Sequence, residues 1–356
     1  MRKQGERVLP EVMPTLEEGL LSPLATTRQG VCIGLNEIML TAGKQLVTQF
    51  IDIIVHAVRQ AICDPDPMVR EPAAEAFATL YKHVGRTALD EILPALLANL
   101  GSTDDDVVTA ALEGLQLITA ARSDVVFPML IDQLLHPITS ANARALGLLI
   151  PSAGKALNKY LSTILSSLFK MRGDVDPQAI DATATVLLTS VQDQDAGRLL
   201  VSDLLEKAAS DKPRERQTAC DFIATFCANT RVDYTPYVRA LFRTLLYRLN
   251  DTDQNVVSAA WGGLDALTRT MKKEQQPDYL HEVRRAMQNV VDDAKGANEG
   301  HIKGFCMPKG IVPLMPMMLQ GLMYGRDDVR EQSALGLGDL VRFTDAKNLT
   351  PQVNSK

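Results

Sequence analysis

The sequence predicts an all-α protein built as a linear array of helix pairs. One unit recurs along the chain, a turn with an acidic residue followed by a helix rich in Ala and Leu, and its clearest copies are 62–85, 104–121, 253–270 and 327–341. Weaker copies begin near Thr26, Ser140, Pro177 and Pro213. With these included, successive copies between 27 and 256 are roughly 35 to 42 residues apart, a spacing typical of helical-pair repeats. The composition agrees, because 46% of the residues are apolar and only 5% are aromatic, which suits stacked helices better than sheets.

The stretch 62–85 shows why each copy is expected to fold in this way. Asp66 can accept the free N–H groups at the start of a helix, and Pro67 fixes the backbone of the first turn. Gly85 is expected to end the helix. Between them, small and apolar residues recur at spacings of three and four and are expected to form one buried stripe. They are Val69, Ala73, Ala74, Phe77, Leu80 and Tyr81.

The same periodicity predicts a first helix, A, and a second helix, B, in every repeat. The clearest A helix is 87–100, where Leu and Ile fall at i, i+3, i+4, i+7, i+8 and i+11. Most linkers have about two to six residues and contain Gly, Asp, Asn or Pro. The expected A and B helices are 8–21 with 28–41, 45–63 with the helix in 62–85, 87–100 with 104–121, 125–135 with 140–154, 157–171 with 177–191, 196–209 with 213–228, and 234–249 with 255–271.

Several of the expected A helices contain an internal proline. Inside an ordinary helix each proline costs about 3 kcal/mol, because it lacks an N–H group and its ring clashes with the preceding turn. Recurrence at a similar depth favours a built-in kink, and bent A helices are typical of HEAT repeats. The predicted fold is therefore a HEAT-repeat α-solenoid. The prolines are Pro14, Pro94, Pro128, Pro313 and Pro316.

We expect three regions along this solenoid. About seven HEAT repeats cover 1–271, an irregular repeat with a polar, Gly-rich loop covers 272–307, and a further repeat with the start of the next one covers 308–356. Neither end carries the polar capping repeat that a free-standing solenoid requires, so the chain is expected to be part of a longer one. The Gly-rich loop leaves two interpretations open, a site of specific contacts or an inserted surface loop.

Charge and composition narrow the class of protein. The net charge of −6 and the pI near 5.5 argue against binding of nucleic acid by the chain as a whole. No window is apolar enough for a membrane span and residues 1–8 are polar, so we expect a soluble, cytoplasmic protein. The five cysteines are widely separated among apolar residues, which favours reduced core side chains over disulfides or metal ligands.

The sequence offers no pattern that is typical of an enzyme. No two histidines are three or four residues apart, so the zinc-binding helix motif is absent. Gly336 and Gly338 have no preceding strand, and helix packing explains them better than a dinucleotide site. We therefore expect no catalytic residue, no metal and no cofactor.

Charged residues near the turns are the candidate interaction residues. In HEAT repeats an Asp late in the turn and an Arg early in helix B often form a ladder between neighbouring repeats. The alternative is direct contact with a partner protein, and the sequence leaves both open. The candidates are Arg28, Asp66, Arg70, Arg144, Arg216, Asp328 and Arg330.

Five runs carry a resemblance to a known family. They are LPEVMPTLEEGL at 9–20, RQGVCIGLNEIM at 28–39, CDPDPMVREPAAEAF at 63–77, ALDEILPALL at 88–97 and GFCMPKG at 304–310. Together they resemble the C-terminal third of the giant HEAT-repeat translational activators called general control nonderepressible protein one. The resemblance covers nearly the whole chain.

The resemblance implies a non-enzymatic scaffold. Members of that family associate with ribosomes and activate the protein kinase that phosphorylates the alpha subunit of initiation factor two during amino-acid starvation. The implied partners are ribosomes, through the full-length protein, and the RWD domain of that kinase, at a site that begins near 329–344 and continues past residue 356. No membrane and no sequence-specific nucleic acid is expected as a partner. The alternative is a HEAT scaffold of another kind, such as a nuclear transport receptor or a phosphatase or ubiquitin-ligase scaffold.

Overall fold

The computed structural model describes residues 12–42, 44–136, 139–172, 176–294, 297–345 and 347. Every regular element within these ranges is helical. Short 3-10 helices cover Gly154–Lys159, Thr235–Tyr237, Lys273–Tyr279 and Ala297–Gly300. The α-helices are α1 (12–20), α2 (Ala25–Thr41), α3 (Lys44–Gln49), α4 (Ile51–Ile62), α5 (Pro67–Val84), α6 (Arg86–Asn99), α7 (Asp105–Ala121), α8 (Ser123–Leu134), α9 (Ser140–Ala153), α10 (Leu161–Met171), α11 (Pro177–Ser190), α12 (Gln194–Ala208), α13 (Pro213–Asn229), α14 (Val238–Arg248), α15 (Gln254–Thr270), α16 (Leu280–Asp293), α17 (Met315–Tyr324) and α18 (Asp327–Arg342).

The chain divides into two compact units. The first unit contains α1 to α9 and the beginning of α11, and its B helices α2, α5, α7 and α9 pack side by side in that order. The second unit contains α10, the rest of α11 and α12 to α18. Within the second unit α13 packs along α15, and α18 packs against both α16 and α17. In each unit, consecutive B helices therefore share a face.

Acidic residues begin several B helices as the turn pattern requires. The carboxylates of Asp66, Asp104 and Asp253 accept hydrogen bonds from the N–H groups of Met68, Asp106 and Asn255 at 2.9, 3.0 and 2.8 Å. Each such cap contributes about 1 kcal/mol, because it satisfies an N–H group that has no partner inside the helix. At the other end of α5, Gly85 has φ 65°, a conformation that costs other residues more than glycine.

The structure differs from the expected helices at several points. The expected A helices 157–171 and 234–249 become α-helical only at Leu161 and Val238, after short 3-10 helices. Residues 45–63 form two helices, because the backbone of Phe50 departs from helical geometry, and no Gly or Pro marks this break in the sequence. Internal prolines also occur in B helices, at Pro72 in α5 and Pro151 in α9. Pro316 lies in the first turn of α17 and Pro313 precedes that helix. An internal proline therefore does not distinguish A helices from B helices.

The division into about seven repeats over 1–271, an irregular repeat over 272–307 and a further repeat over 308–356 stays a prediction. The expected start of another A helix at 348–353 lies outside the described residues.

Glycines permit the closest approaches between helices. A Cβ atom on Gly114 of α7 would lie 2.8 Å from the carbonyl oxygen of Ile62 at the end of α4. In the second unit, a Cβ atom on Gly263 of α15 would lie 2.7 Å from Leu245 and 3.3 Å from the carbonyl oxygen of Cys220. Such distances leave no room for a larger residue, which explains in part why the composition favours small side chains over aromatic ones.

We predict that Gly114→Ala lowers the free energy of unfolding by about 1–3 kcal/mol, because the new methyl group meets a backbone oxygen that cannot move aside. Gly30→Ala is the matched control, since Gly30 lies inside α2 with no atom within 4 Å of the added carbon. That change is expected to stabilise by up to about 1 kcal/mol, the helix preference of Ala over Gly. Chemical denaturation followed by circular dichroism measures both. Equal effects of the two substitutions would contradict the packing at Gly114.

Candidate interaction surface and its arginine ladder

Four B helices carry an arginine as their fourth residue, namely Arg28 in α2, Arg70 in α5, Arg216 in α13 and Arg330 in α18. In the first three, Nη1 donates a hydrogen bond to the carbonyl oxygen of the residue six positions earlier, at 2.9, 2.5 and 3.0 Å. That bond holds the guanidinium group across the turn that precedes its own helix, so the other nitrogen atoms point toward the next repeat.

The carbonyl group in each case belongs to the residue two positions before the N-cap, here called the turn residue. The turn residues of α2, α5, α7, α13 and α15 are Ser or Asp, and the side chain of each accepts a hydrogen bond from the N–H group of the N-cap. A turn residue that is Asp offers two negatively charged oxygens, so it can accept from an arginine as well as from the N-cap, whereas Ser offers one neutral hydroxyl oxygen. These residues are Ser22, Asp64, Ser102, Ser210 and Asp251.

The first rung of the ladder joins Arg28 to the turn residue Asp64 of the next repeat. Nε and Nη2 of Arg28 donate to the two carboxylate oxygens at 2.7 and 2.9 Å. Only 14% of the Arg28 side chain and 8% of the Asp64 side chain are exposed. The hydrogen bonds that Arg28 donates to Asp64 raise the pKa of Arg28, although burial alone would lower it. A paired, two-point contact of this kind is stronger than a single hydrogen bond between neutral groups.

The same arrangement recurs in the second unit between Arg216 and Asp251. Nε and Nη2 of Arg216 donate to the carboxylate at 2.8 and 2.7 Å, and Arg248 adds a further hydrogen bond at 3.1 Å. Only 2% of the Asp251 side chain is exposed. Burial alone would raise the pKa of Asp251, but the hydrogen bonds from Arg216, from the N–H group of Asp253 and from Arg248 outweigh it and lower the pKa to about 2. The carboxylate is therefore ionised and fully paired.

Arg70 keeps the bond to its own turn but has a different acidic partner. The next turn residue is Ser102, which has no carboxylate to offer. Arg70 instead reaches Glu113 in the middle of α7. We define the arginine ladder as the three pairs Arg28–Asp64, Arg70–Glu113 and Arg216–Asp251. The identity of the turn residue decides which acid the arginine meets.

The remaining candidate residues make weaker contacts or none across repeats. Arg144 is the fifth residue of α9 rather than the fourth, and it approaches Asp176 at 3.8 Å with both side chains exposed. Asp328 and Arg330 lie 3.9 Å from Arg326 and Asp327, which are neighbours in the same turn or helix. Exposed pairs at such distances contribute less than about 1 kcal/mol.

Asp66 does not have the ladder position that the sequence suggested. Its carboxylate caps α5 by accepting from Met68, and Asp64, two residues earlier, takes the arginine. The missed residues, Asp64 and Asp251, share a sequence signal, since each stands two residues before an aspartate N-cap in the pattern Asp-x-Asp. Asp174 stands in the same pattern before Asp176 but lies outside the described residues. Sequence reasoning also missed the pair between Arg284 of α16 and Asp339 of α18, at 2.9 Å.

The Gly-rich segment of the irregular repeat packs into its own unit. We call residues 301–311 the clamp segment. The backbone N–H group of Gly304 donates to the carbonyl oxygen of Leu249 at 2.8 Å, and Nζ of Lys303 donates to the carbonyl oxygen of Asp251 at the same turn at 2.9 Å. Ile302 and Phe305 are fully buried. The clamp segment therefore covers the turn that holds the Arg216–Asp251 pair.

The far end of the clamp segment is held by the only tryptophan in the sequence. Nε1 of Trp261 in α15 donates to the carbonyl oxygens of Lys309 and Gly310, both at 3.2 Å. Gly304 is needed at the near end, because a Cβ atom there would lie 2.5 Å from Leu249. The run GFCMPKG thus has a packing role that accounts for both of its glycines, since Gly310 likewise packs against the backbone of Phe305.

Potential metal ligands do not cluster in the part of the chain that the structure describes. No group of three or more His, Cys, Asp or Glu side chains there could hold a metal ion. Burial raises the pKa of the thiols of Cys32, Cys220 and Cys227 to about 12, so these cysteines are poor nucleophiles. None of the described helices has the length and apolar character needed to cross a bilayer.

Comparison with known proteins places this arrangement in a family. A family model described as stalled ribosome sensor GCN1-like HEAT repeats matches residues 126–309, more than half of the chain. The chain belongs to that family. A general HEAT-repeat model also matches residues 54–84, which cover most of α4, the turn after it and α5. The all-α HEAT-repeat class and the family resemblance expected from the sequence are confirmed.

Two relatives show how much of a GCN1 protein this chain represents. The stalled ribosome sensor GCN1 of Mus musculus is 36% identical over 360 residues, which cover 100% of this chain and 13% of that protein. The eIF-2-alpha kinase activator GCN1 of Dictyostelium discoideum is 38% identical over 359 residues, with 99% and 13% covered. The chain therefore spans about 13% of the length of these relatives and is a segment of a much larger protein.

Solved structures with a similar fold are distant in sequence. A crystal structure of the karyopherin Kap121p, bound to the C-terminus of the phosphatase Cdc14p, has a TM-score of 0.45 and 15% identity, covering 95% of this chain and 38% of that one. A likeness at this level gives no information on function.

The pH dependence of stability tests the Arg216–Asp251 pair. Because the pKa of Asp251 falls from its usual 3.8 to about 2 on folding, the pair contributes fully above pH 4 and its contribution is lost as the pH falls through 2. A shift of this size corresponds to about 2 kcal/mol. We predict that Asp251→Asn lowers the free energy of unfolding by about this amount at pH 6 and by progressively less toward pH 2.

Chemical denaturation of both proteins at a series of pH values gives this difference directly. Asp176→Asn is the control, since the Arg144–Asp176 contact is long and exposed, and its effect should be small at every pH. A difference between wild type and Asp251→Asn that does not change with pH would contradict the pairing.

Proposed function

We propose that this segment is a non-enzymatic scaffold in translational control, and that it contributes to binding and activating the kinase that phosphorylates initiation factor two alpha during amino-acid starvation. One observation carries the proposal. Identity of 36 to 38% extends over the whole segment to proteins named as a stalled ribosome sensor and as an eIF-2-alpha kinase activator. The raised pKa values of the buried Cys220 and Cys227 thiols agree with a packing role for these side chains.

We infer that six of the seven candidate residues, all but Arg330, divide into two groups. Arg28, Arg70 and Arg216 are bonded within the chain, and Asp66 caps a helix, so their role is structural. Arg144 and Asp328 are free to meet a partner because their side chains are 68% and 72% exposed. Charged residues at such exposed positions mainly determine specificity and the association rate.

The proposed partner is the RWD domain at the N-terminus of the kinase. We propose that its site begins near α18, around 329–344, and continues in the polypeptide beyond residue 356. Ribosomes are the second proposed partner, through the full-length protein, and the proposed location of the whole is the cytoplasm. The scaffold would then hold the kinase and the ribosome at fixed positions along one array of helix pairs.

Binding of the isolated RWD domain tests the kinase contact. We expect weak binding to the chain of 356 residues and tighter binding to a longer version of the natural protein that continues past its end. In the longer version, Asp328→Lys should weaken binding about tenfold, equivalent to about 1.4 kcal/mol. Arg86→Glu is the matched control, because Arg86 is similarly exposed but lies on α6. Fluorescence polarisation of the labelled domain measures the affinities.

The outcomes separate the parts of the proposal. If neither version binds the RWD domain, this region does not contact the kinase. Co-sedimentation of the full-length protein with ribosomes is measured in parallel, and failure there removes the ribosome as a partner independently of the kinase result.

A further inference from the structure

One arginine of the ladder keeps a buried N–H group without a partner. In the Arg28–Asp64 and Arg216–Asp251 pairs, Nε of the arginine donates to the turn carboxylate at 2.7 and 2.8 Å. Nη1 of Arg70 is bonded to its own turn in the same way as in those pairs, but Nε of Arg70 has no hydrogen-bond partner among the described residues. Only 2% of this side chain is exposed. Because an unpaired buried donor is costly, this Nε marks a place for an acceptor.

Ser102 holds the position at which the other two pairs supply that acceptor. It is the turn residue before α7, and its Oγ accepts from the N–H group of Asp104 at 3.1 Å. Asp64 and Asp251 accept from their own N-caps in the same manner, at 2.9 and 3.0 Å, and their carboxylates also bond the arginine. Ser102 has a neutral hydroxyl group at this place. A phosphate group on Oγ would carry about two negative charges, on oxygens one bond further from the backbone than those of Asp.

The sequence after Ser102 suits a kinase that selects acidic targets. Residues 101–106 read GSTDDD, so aspartates stand two, three and four positions after the serine. Ser/Thr kinases of this class recognise carboxylates at these positions by complementary charge. Gly101 and residues 103–106 are exposed and Ser102 is half-buried, so a kinase can reach the turn.

Ser22 and Ser210, the other turn serines, lack this combination. No acidic residue follows Ser22 before Glu37. The fourth residue of α11, the B helix before Ser210, is Ile180, so no ladder arginine is available there. Among the turn residues named above, Ser102 alone combines an unpaired arginine N–H group with a run of acids after it.

We propose that Ser102 is a phosphorylation site and that its phosphate group pairs with Arg70, which completes the rung that a serine leaves open. A Ser/Thr kinase that selects acidic targets transfers the γ-phosphoryl group of ATP. A bond forms between Oγ and the γ-phosphorus, the bond from that phosphorus to the oxygen of the departing ADP breaks, and the hydroxyl proton passes to the catalytic base of the kinase.

The phosphate group is held from two sides in this arrangement. Nε of Arg70 donates to a phosphate oxygen, while its Nη1 keeps the bond to the carbonyl oxygen of Asp64. The N-terminus of α7 also favours a negative charge at the turn. Asp104, Asp105 and Asp106 oppose that charge, but they are exposed and screened by water, whereas Arg70 is buried. Phosphorylation therefore joins the turn of α7 more firmly to α5.

The first experiment asks whether a kinase modifies this turn. The chain of 356 residues is incubated with ATP and casein kinase two, a kinase that selects acidic targets, and its peptides are analysed by mass spectrometry. We expect phosphate on Ser102 and none on Ser22 or Ser210. The absence of phosphate on Ser102, or phosphate on Thr103 alone, would overturn the proposal.

The second experiment asks whether Arg70 holds the phosphate group. Phosphoserine is incorporated at position 102 during translation, and phosphorus NMR follows its second ionisation. The arginine should lower the pKa of the phosphate from its usual value of about 6 to about 5 or below, whereas the nearby aspartates alone would raise it. In an Arg70→Gln background the pKa should return to about 6 or above. An unchanged or raised pKa beside the natural Arg70 would overturn the proposal even where Arg70→Gln fails to fold.

Phosphoserine at position 103 is the matched control, because Thr103 is exposed and shares with Ser102 the same aspartates and the same helix N-terminus. The pKa of its phosphate should not fall. Thermal unfolding gives a second readout, since phosphoserine at position 102 should raise the Tm by about 2–4 °C and phosphoserine at position 103 should leave it unchanged.

Two results would assign the effect to another cause. Equal changes for phosphoserine at positions 102 and 103 would assign it to the helix N-terminus alone. An equal rise in Tm when inorganic phosphate is added to the unmodified chain would assign the site to a free anion. Both results would overturn the proposal.

Discussion

The pairing of an arginine with the turn carboxylate of the following repeat is the interaction on which the rest of the structure depends. Each ladder arginine is bonded to its own turn and to the next repeat at the same time, so one guanidinium group fixes the relative position of two helix pairs. Burial of these charges is costly, and the paired hydrogen bonds to carboxylates and turn carbonyl groups offset that cost, although Nε of Arg70 and Nε of Arg248 are buried without a hydrogen-bond partner among the described residues. At Asp251 two arginines and a backbone N–H group satisfy the carboxylate.

Close packing of small residues works together with this pairing. Gly114 and Gly263 let neighbouring helices approach until only a hydrogen atom fits between them and the facing backbone or side chain. The clamp segment adds a third constraint in the second unit, because Lys303 and Gly304 bond to the backbone of the same turn that holds Asp251. The clamp segment thus stabilises the turn of the Arg216–Asp251 pair.

The sequence was sufficient to predict the class of fold and most helices, because Leu, Ile and Ala recur at helical spacing and Asp or Gly marks the ends. It was not sufficient to choose between Asp64 and Asp66, since both lie in one turn and only the backbone path decides which carboxylate faces Arg28. The break at Phe50 has no Gly or Pro to announce it. Burial of the clamp segment was also hidden, because its glycines look like a flexible loop until Leu249 and Trp261 are seen against it.

The most direct measurement of the central claim is a double-mutant cycle on Arg216 and Asp251. The four proteins are wild type, Arg216→Ala, Asp251→Ala and the double variant, and chemical denaturation at pH 7 gives the free energy of unfolding of each. A buried, two-point pair should give a coupling energy of about 2 kcal/mol or more, whereas the same cycle on the exposed Arg144 and Asp176 should give less than about 0.5 kcal/mol. Additive effects of Arg216→Ala and Asp251→Ala would contradict the account, because the two side chains would then stabilise the chain independently of each other.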